Sequence, residues 1–282
     1  MMRLLHIEWN KIFYNTGTRI FIILYFLMIL GMGLILPNFH PNLNGVEVNF
    51  IKMGALEFPV IWHNLTWLIG FGKFFLAIII INNLSNEYSF GTMKQNLIDG
   101  LSKKEFFGSK VLITFLLTLF STIFVLVLGL VLGNIYSESK DVFNGIEFVL
   151  GYFVEIFAYL SIATFLTIFL KKSAFAILSL IVLSMGESIV KAAEFMLRIN
   201  VFDKSDQEIE QSSTAIKLFS NYLPFNSNGG IIDYPPISLT NFLTNGKLFT
   251  LSELKWDMFG INVFYILLFL GLSLWILKKR DL

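Results

Sequence analysis

Residues 111–132 read VLITFLLTLFSTIFVLVLGLVL, twenty-two residues without one charge. At 1.5 Å per residue a helix of this length reaches about 33 Å, enough for the roughly 30 Å hydrocarbon core of a bilayer. Five more stretches meet the same test, at about 20–36, 62–81, 148–170, 173–190 and 259–277. The composition agrees with them. The chain of 282 residues is 55% hydrophobic and 15% charged, with a mean hydropathy of +0.71. A soluble domain is nearer 25% charged. The expectation is therefore an all-α membrane protein with six transmembrane helices and one transmembrane domain over 1–282. The apolar run near the N-terminus lacks a small-x-small cleavage site before Leu36-Pro37, so it reads as a retained first span.

Composition also excludes chemistry. A net charge of +1 gives no field for nucleic acid, and with no cysteine there is no thiolate nucleophile or cysteine-bound metal. His6, His40 and His63 share no metal-ligand spacing. No phosphate-binding loop is present, because Gly72-Lys73 lacks both the upstream glycine and the following hydroxyl. No Gly-x-Ser-x-Gly elbow occurs either. The chain does not read as an enzyme.

Basic residues orient the spans. With the N-terminus inside, the inner segments hold Arg3, Lys11, Arg19, Lys94, Lys103, Lys104, Lys110, Lys171, Lys172, Lys278, Lys279 and Arg280. The two short outer loops hold only Lys52 and Lys140. Both termini are expected inside. Ahead of the first span, Met2, Leu5, Trp9, Ile12 and Phe13 share one stripe at 100° per residue, while Arg3, Asn10, Lys11 and Asn15 fall away from it. This predicts an interfacial amphipathic helix over 1–16, with Trp9 near headgroup depth.

Residues 82–100, NNLSNEYSFGTMKQNLIDG, are too polar to span. Thr92 can cap a short helix there and Gly100 can end it. Ser102-Lys103-Lys104-Glu105 then forms a capping box before the third span. Taken alone, the segment 86–106 is either an ordinary polar loop or a short rigid element on which a partner could push.

The longest soluble stretch, 191–258, is expected outside with short helices. Glu187/Lys191 and Glu194/Arg198 are spaced i,i+4, which carries the fifth helix to about residue 199. Ser205-Asp206-Gln207-Glu208 is a capping pattern for a helix to about 219. Leu223-Pro224-Phe225 and 226–230 break it, and Pro235-Pro236 marks an irregular stretch. Thr250-Leu251-Ser252-Glu253 is expected to cap the sixth span.

Three charges fall within spans. Lys73 lies 11 residues past Trp62, and Glu155 lies 7 past Phe148, on spans that run the same way. Their depths then differ by roughly 6 Å, so a Lys73–Glu155 pair is expected. Glu187, near the outer end of the fifth span, is a candidate for lining an outward cavity. Gly129-Leu130-Val131-Leu132-Gly133 is a small-xxx-small pattern that lets another helix approach.

The inner segment resembles the loop after the second span of type-2 ATP-binding-cassette permeases. The resemblance is carried by Glu87-Tyr88-Ser89-Phe90-Gly91-Thr92, Leu97, Gly100-Leu101-Ser102-Lys103-Lys104 and Lys110. Gly100 stands where many members have a proline region. The resemblance implies two such permease subunits, identical or related, in a bacterial-type cytoplasmic membrane. Two separate ATPase subunits would bind the ATP, and the permease itself would hold no cofactor. It also implies that Glu87, Gly91, Thr92, Met93, Gln95, Asn96, Leu97, Asp99 and Gly100 form the coupling helix gripped by the ATPase. Members mostly export lipids, peptides or drug-like cargo. A membrane scaffold bound to an ATPase, and an ion-coupled transporter using Lys73 and Glu155, remain as other readings.

Overall fold

The computed structural model describes residues 2–38, 42–43, 46–47, 49–139, 141–201 and 218–280. Helix α1 (Met2–Tyr14) is separated from α2 (Thr16–Asn38) by Asn15, whose side-chain oxygen accepts the Thr18 amide at 3.1 Å and caps α2. A minimal antiparallel pairing, Asn42–Leu43 with Val46–Glu47, follows. Then come α3 (Val60–Gly70), α4 (Lys73–Ser89), α5 (Thr92–Ile98), α6 (Lys103–Tyr136), α7 (Glu147–Leu170) and α8 (Ser173–Val201). A 3-10 turn (Phe219–Tyr222), α9 (Pro224–Gly229), α10 (Leu239–Asn245) and α11 (Trp256–Lys279) complete the chain.

Among the described residues five helices, α2, α6, α7, α8 and α11, are long and apolar enough to cross a membrane. The chain is thus an almost wholly helical, multi-pass membrane protein. The remaining expected span, 62–81, is not one straight helix. It is α3 and α4, which meet at 45° across Phe71-Gly72 and pass the same test only as a pair. Gly72 lets α2 pack closely against the break. A Cβ there would lie 2.4 Å from Met28 Cε and 2.7 Å from Tyr25 Cε2.

Helix α7 is the hub. It is apolar all round, and a helix of that kind belongs inside a bundle. About 72% of its apolar window is buried, against 11% for α8. It packs against α3, α4, α6, α8 and α11. Its hydroxyls stay satisfied by bonding back one turn, as Ser161 does to Phe157, Thr164 to Leu160 and Thr167 to Ala163. The hydroxyls of Tyr25, Ser121 and Tyr152 join α2, α6 and α7 in a closed buried ring of hydrogen bonds.

Several local expectations are realised and several are corrected. The Ser102–Glu105 capping box is present in both directions. Helix α8 runs to Val201, close to the expected end. Helix α1 forms, over Met2–Tyr14. Ile12 is buried, Glu8 is buried with it, and the helix packs on α2, α4 and α6. Pro224 does not break a helix; it starts α9 at the first helical position, where its missing N–H costs nothing. Residues 251–255 are non-helical, and α11 starts at Trp256 without a side-chain cap, so Thr250–Glu253 do not cap it. The helix expected from Ser205 lies mostly outside the described residues.

Gly129 and Gly133 admit aromatic rings rather than a second helix backbone. A Cβ at Gly129 would lie 2.6 Å from Trp62 Cζ3, and one at Gly133 would lie 2.1 Å from Phe58 Cζ. Overpacking of this kind typically costs about 1–3 kcal/mol. Gly133→Ala is therefore expected to lower the thermal midpoint in detergent. Gly186→Ala, where a Cβ meets nothing within 4 Å, should leave it unchanged or raise it. Equal midpoints for the two variants would refute this packing.

Candidate functional site

Two buried ionic clusters sit at opposite ends of α4. The first forms where α3 breaks. Lys73 is the first residue of α4, and its Nζ donates to Glu155 Oε1 on α7 at 2.6 Å. The expected pair is thus present. It also has a third member, since Lys73 Nζ donates to Asn228 Oδ1 on α9 at 2.9 Å. The Asn228 amide in turn donates to the Glu155 backbone carbonyl at 2.7 Å and to Asn262 Oδ1 on α11 at 3.3 Å. The Tyr159 ring lies 5.3 Å from Lys73 Nζ. The network ties α4, α7, α9 and α11 around one charge pair.

Glu187 does not join it. Its Oε2 accepts the Phe225 and Asn226 amides at 2.8 and 3.0 Å, so it caps α9 from outside. One face of α8 carries a second such carboxylate, because Glu194 accepts the Phe219 and Ser220 amides, both at 2.9 Å. Glu187 and Glu194 thus hold the loop before α11 onto α8. No Glu187–Lys191 ion pair forms among the described residues, and the side chain of Arg198 lies outside them. His63 is fixed by its neighbours, stacked on Phe148 at 4.3 Å and bonded to the Asp233 carbonyl and Ser252.

The second cluster went unseen in the sequence. Lys110, at the start of the apolar run in α6, reaches Glu8 Oε2 and Glu87 Oε1, both at 2.5 Å, and Asn83 Oδ1 at 3.2 Å. Lys11 reaches Glu87 Oε1 at 2.6 Å and Glu8 Oε1 at 3.1 Å. Two carboxylates face two ammonium groups, and the cluster clamps α1, α4 and α6 together. Glu8 and Lys11 are three apart on α1 and both turn inward. Lys11, which lies off the apolar stripe of α1, is therefore part of what docks the helix. For Glu8, burial pushes the carboxyl up, but the Lys110 and Lys11 charges outweigh it and hold it below the ordinary 4.5. Lys11 is likewise disfavoured by burial, yet Glu87 and Glu8 hold it above 10.5.

Helix α5 hangs directly below this clamp. Gly91 adopts a left-handed φ of 68°, and Gly100 one of 98°. Gly91, rather than Thr92, occupies the capping position. The nine residues named for this segment do not form one surface. Glu87 and Met93 are buried, Gly91, Thr92, Asn96 and Leu97 are half-buried, and Gln95, Asp99 and Gly100 are exposed. Glu87 therefore belongs to the clamp and not to a face that a partner can touch. Beside the exposed residues stand two large apolar side chains, Phe90 at 77% and Ile98 at 85% exposure.

Breaking a buried pair by removing one partner leaves a bare charge and costs about 3–5 kcal/mol, whereas replacing both is far milder. Lys73→Met and Glu155→Gln alone are expected to destabilise strongly, and the double variant to recover most of the loss in a thermal-unfolding cycle. Additive losses would refute a coupled pair. The clamp predicts a pH window. Glu8, with its depressed pKa, stabilises above 4.5 and loses this as pH falls below it. Lys11, with its raised pKa, stabilises below 10.5 and loses this as pH rises above it. Hydrogen exchange in α1, corrected for the intrinsic rate, should stay slow between these limits and accelerate beyond them. Release of α1 already near neutral pH would contradict the clamp.

A family model described as protein of unknown function (DUF2705) matches residues 47–282. No curated protein matches the chain. The matched region takes in Lys73, Glu87, Lys110, Glu155, Asn228 and Asn262, while Glu8 and Lys11 precede it. The match covers well over half of the sequence, and the chain belongs to the DUF2705 family.

Proposed function

We propose that this chain is the membrane-spanning permease subunit of an ATP-binding-cassette exporter, powered by separate ATPase subunits. The observation that carries the reading is α5, a seven-residue helix between two left-handed glycines. It is joined rigidly to α4 and α6 at the end where both are clamped. It coincides with the residues that resemble the permease loop. A ligand shifts a conformational equilibrium only through contacts that differ between the two states. A short helix held at both ends is suited to pass such contacts on to two spans.

In this reading α3 and α4 form one broken span, giving six in all. Both termini face the cytoplasm, following the basic residues of the short loops, and the membrane is the bacterial-type cytoplasmic one. Two permease subunits, identical or related, associate with two ATPases, and the nucleotide is bound entirely by the ATPases. Helix α8 is mostly exposed, with Met185, Ile189 and Met196 on its surface, which supports a second permease subunit packing on it. The cargo is of the lipid, peptide or drug-like kind. Lys73 and Glu155 give the ion-coupled transporter its only specific support, and that reading requires transport to follow a proton gradient without ATP.

Purification of the intact chain from its native membrane should bring down a nucleotide-binding subunit in equal number. Phe90→Asp and Ile98→Asp alter only exposed side chains and should weaken that association about tenfold or more, as loss of an apolar anchor does. Their helical content should stay unchanged. If no ATPase accompanies the chain, or both variants bind it as well as the parent, the proposal fails.

A further inference from the structure

A second site lies beside α5, and nothing so far assigns it a ligand. A cavity of about 280 Å³ opens between the end of α4, the start of α5 and the α7–α8 link. Its wall includes Tyr88, Lys94, Lys171 and Lys172, with Glu87 and Met93 among the other lining residues. The three lysines are exposed and have no acidic partner among the described residues. Glu87 does not offset them, because the clamp of Glu8, Glu87, Lys11 and Lys110 is already neutral. The cavity mouth therefore carries uncompensated positive charge.

Two polar atoms of the lining residues are left without partners. The Tyr88 hydroxyl and Glu87 Oε2 are both buried and make no hydrogen bond. Unpaired buried polar atoms are uncommon and call for a partner from elsewhere. The Tyr88 hydroxyl is a donor suited to an anion.

The backbone adds a separate sign. Lys171 has a φ of 64°, and among the described residues it is the one non-glycine at positive φ. It ends α7 at a position where glycine is the usual and unstrained choice. A lysine in that conformation keeps a charge at the cost of strain.

Depth names the ligand. Lys171 and Lys172 join α7 to α8, two helices long and apolar enough to span, so they sit where the hydrocarbon gives way to headgroups. Phe169 and Phe175 flank them, both more than half exposed. From this arrangement we infer that the cavity binds the phosphate of an anionic phospholipid. Lys94, Lys171 and Lys172 face the phosphate, and Tyr88 supplies a hydrogen bond. The acyl chains lie along Phe169 and Phe175. Basic pockets at the ends of spans hold anionic headgroups in this manner. The inference needs no ATPase and stands apart from the permease reading.

The test uses the full chain in detergent, with bound lipid counted by native mass spectrometry. The probes are phosphatidylglycerol, phosphatidylcholine and inorganic phosphate. One phosphatidylglycerol per chain is expected, with phosphatidylcholine held far more weakly. Lys171→Gly relaxes the strained backbone, so it should keep or raise the thermal midpoint while weakening phosphatidylglycerol about fivefold. Lys94→Gln/Lys171→Gly/Lys172→Gln should weaken it roughly a hundredfold. Equal retention of phosphatidylcholine, or unchanged occupancy in the triple variant, overturns the inference. So does full thermal protection by millimolar inorganic phosphate, which would make the ligand a free phosphate. Loss of a co-purifying ATPase in the triple variant with lipid occupancy intact would mark a protein-docking face and overturn it as well.

Discussion

A lysine inside a bilayer must find an anion or reach water. An unpaired one costs several kcal/mol at the centre of a span. This chain meets that constraint at Lys73 and buries a second lysine, Lys110, against the other end of the same helix, and much of the architecture follows. At one end of α4, Lys73 takes Glu155 of α7 and Asn228 of α9. At the other end, Glu87 takes Lys110 of α6 and Lys11 of α1. Each pairing requires helices far apart in sequence to meet at a fixed depth. The pairings therefore fix register and rotation as well as charge. A pair of this kind adds little net stability compared with apolar packing of the same volume, but it penalises any arrangement in which its members are separated.

The apolar packing between the clusters is arranged to the same end. Helix α7 can be buried nearly all round because Ser161, Thr164 and Thr167 bond to its own backbone, Tyr152 joins the buried hydroxyl ring, and its mid-helix carboxylate, Glu155, is paired. Small residues admit bulk where two elements must cross. Gly72 leaves room for Tyr25 and Met28, and Gly129 and Gly133 leave room for Trp62 and Phe58. The break at Phe71-Gly72 does more than bend a span. It places Lys73 at the first turn of a new helix, where the side chain can turn towards Glu155 without rupturing a continuous backbone ladder.

The spans were legible in the sequence because the bilayer imposes a length and an apolarity that single stretches must meet alone. The Ser102 capping box was legible because it is complete within four residues. The Lys73–Glu155 pair could be reached by counting residues from span ends, since depth is nearly a one-dimensional property. Asn228 could not, because its place depends on α9 folding back onto α11 after an irregular stretch. Pro224 was the available signal there, a residue that opens helices as readily as it ends them. The clamp was missed for a different reason. Periodicity sets Lys11 apart from the apolar stripe of α1, but it does not say what a polar side faces. Whether such a side meets water or an opposing charge is decided by Lys110 and Glu87, about a hundred residues and eighty residues away. The surface of α5 was likewise half legible. Its position follows from two glycines, whereas the burial of Glu87 and Met93 is a tertiary property.

The two clusters also bear on how movement could travel. Lys73 and Glu87 stand fourteen residues apart on one unbroken helix, which is about 21 Å of rise. Helix α4 is thus a rod with a charged grip at each end. The lower grip holds α1 and α6 and adjoins α5, so these elements move with the rod or not at all. The upper grip holds α7, α9 and α11, which form the body of the bundle. Above the rod, Phe71-Gly72 interrupts the ladder and frees α3 from following it. A load applied at α5 in the proposed permease would reach the lower grip first and arrive undiminished at Lys73, because a helix of this length is stiff. There it would act on a polar junction that joins the core of the bundle to the segment before α11. Of the two contacts Lys73 makes there, the Asn228 hydrogen bond is weaker than the Glu155 ion pair, as Asn228 is neutral and Glu155 is not. It is the contact most readily exchanged without stranding a charge, and the α9 segment that carries it is only six residues long. The geometry therefore favours motion of α9 against a retained Lys73–Glu155 pair over any step that parts the pair itself.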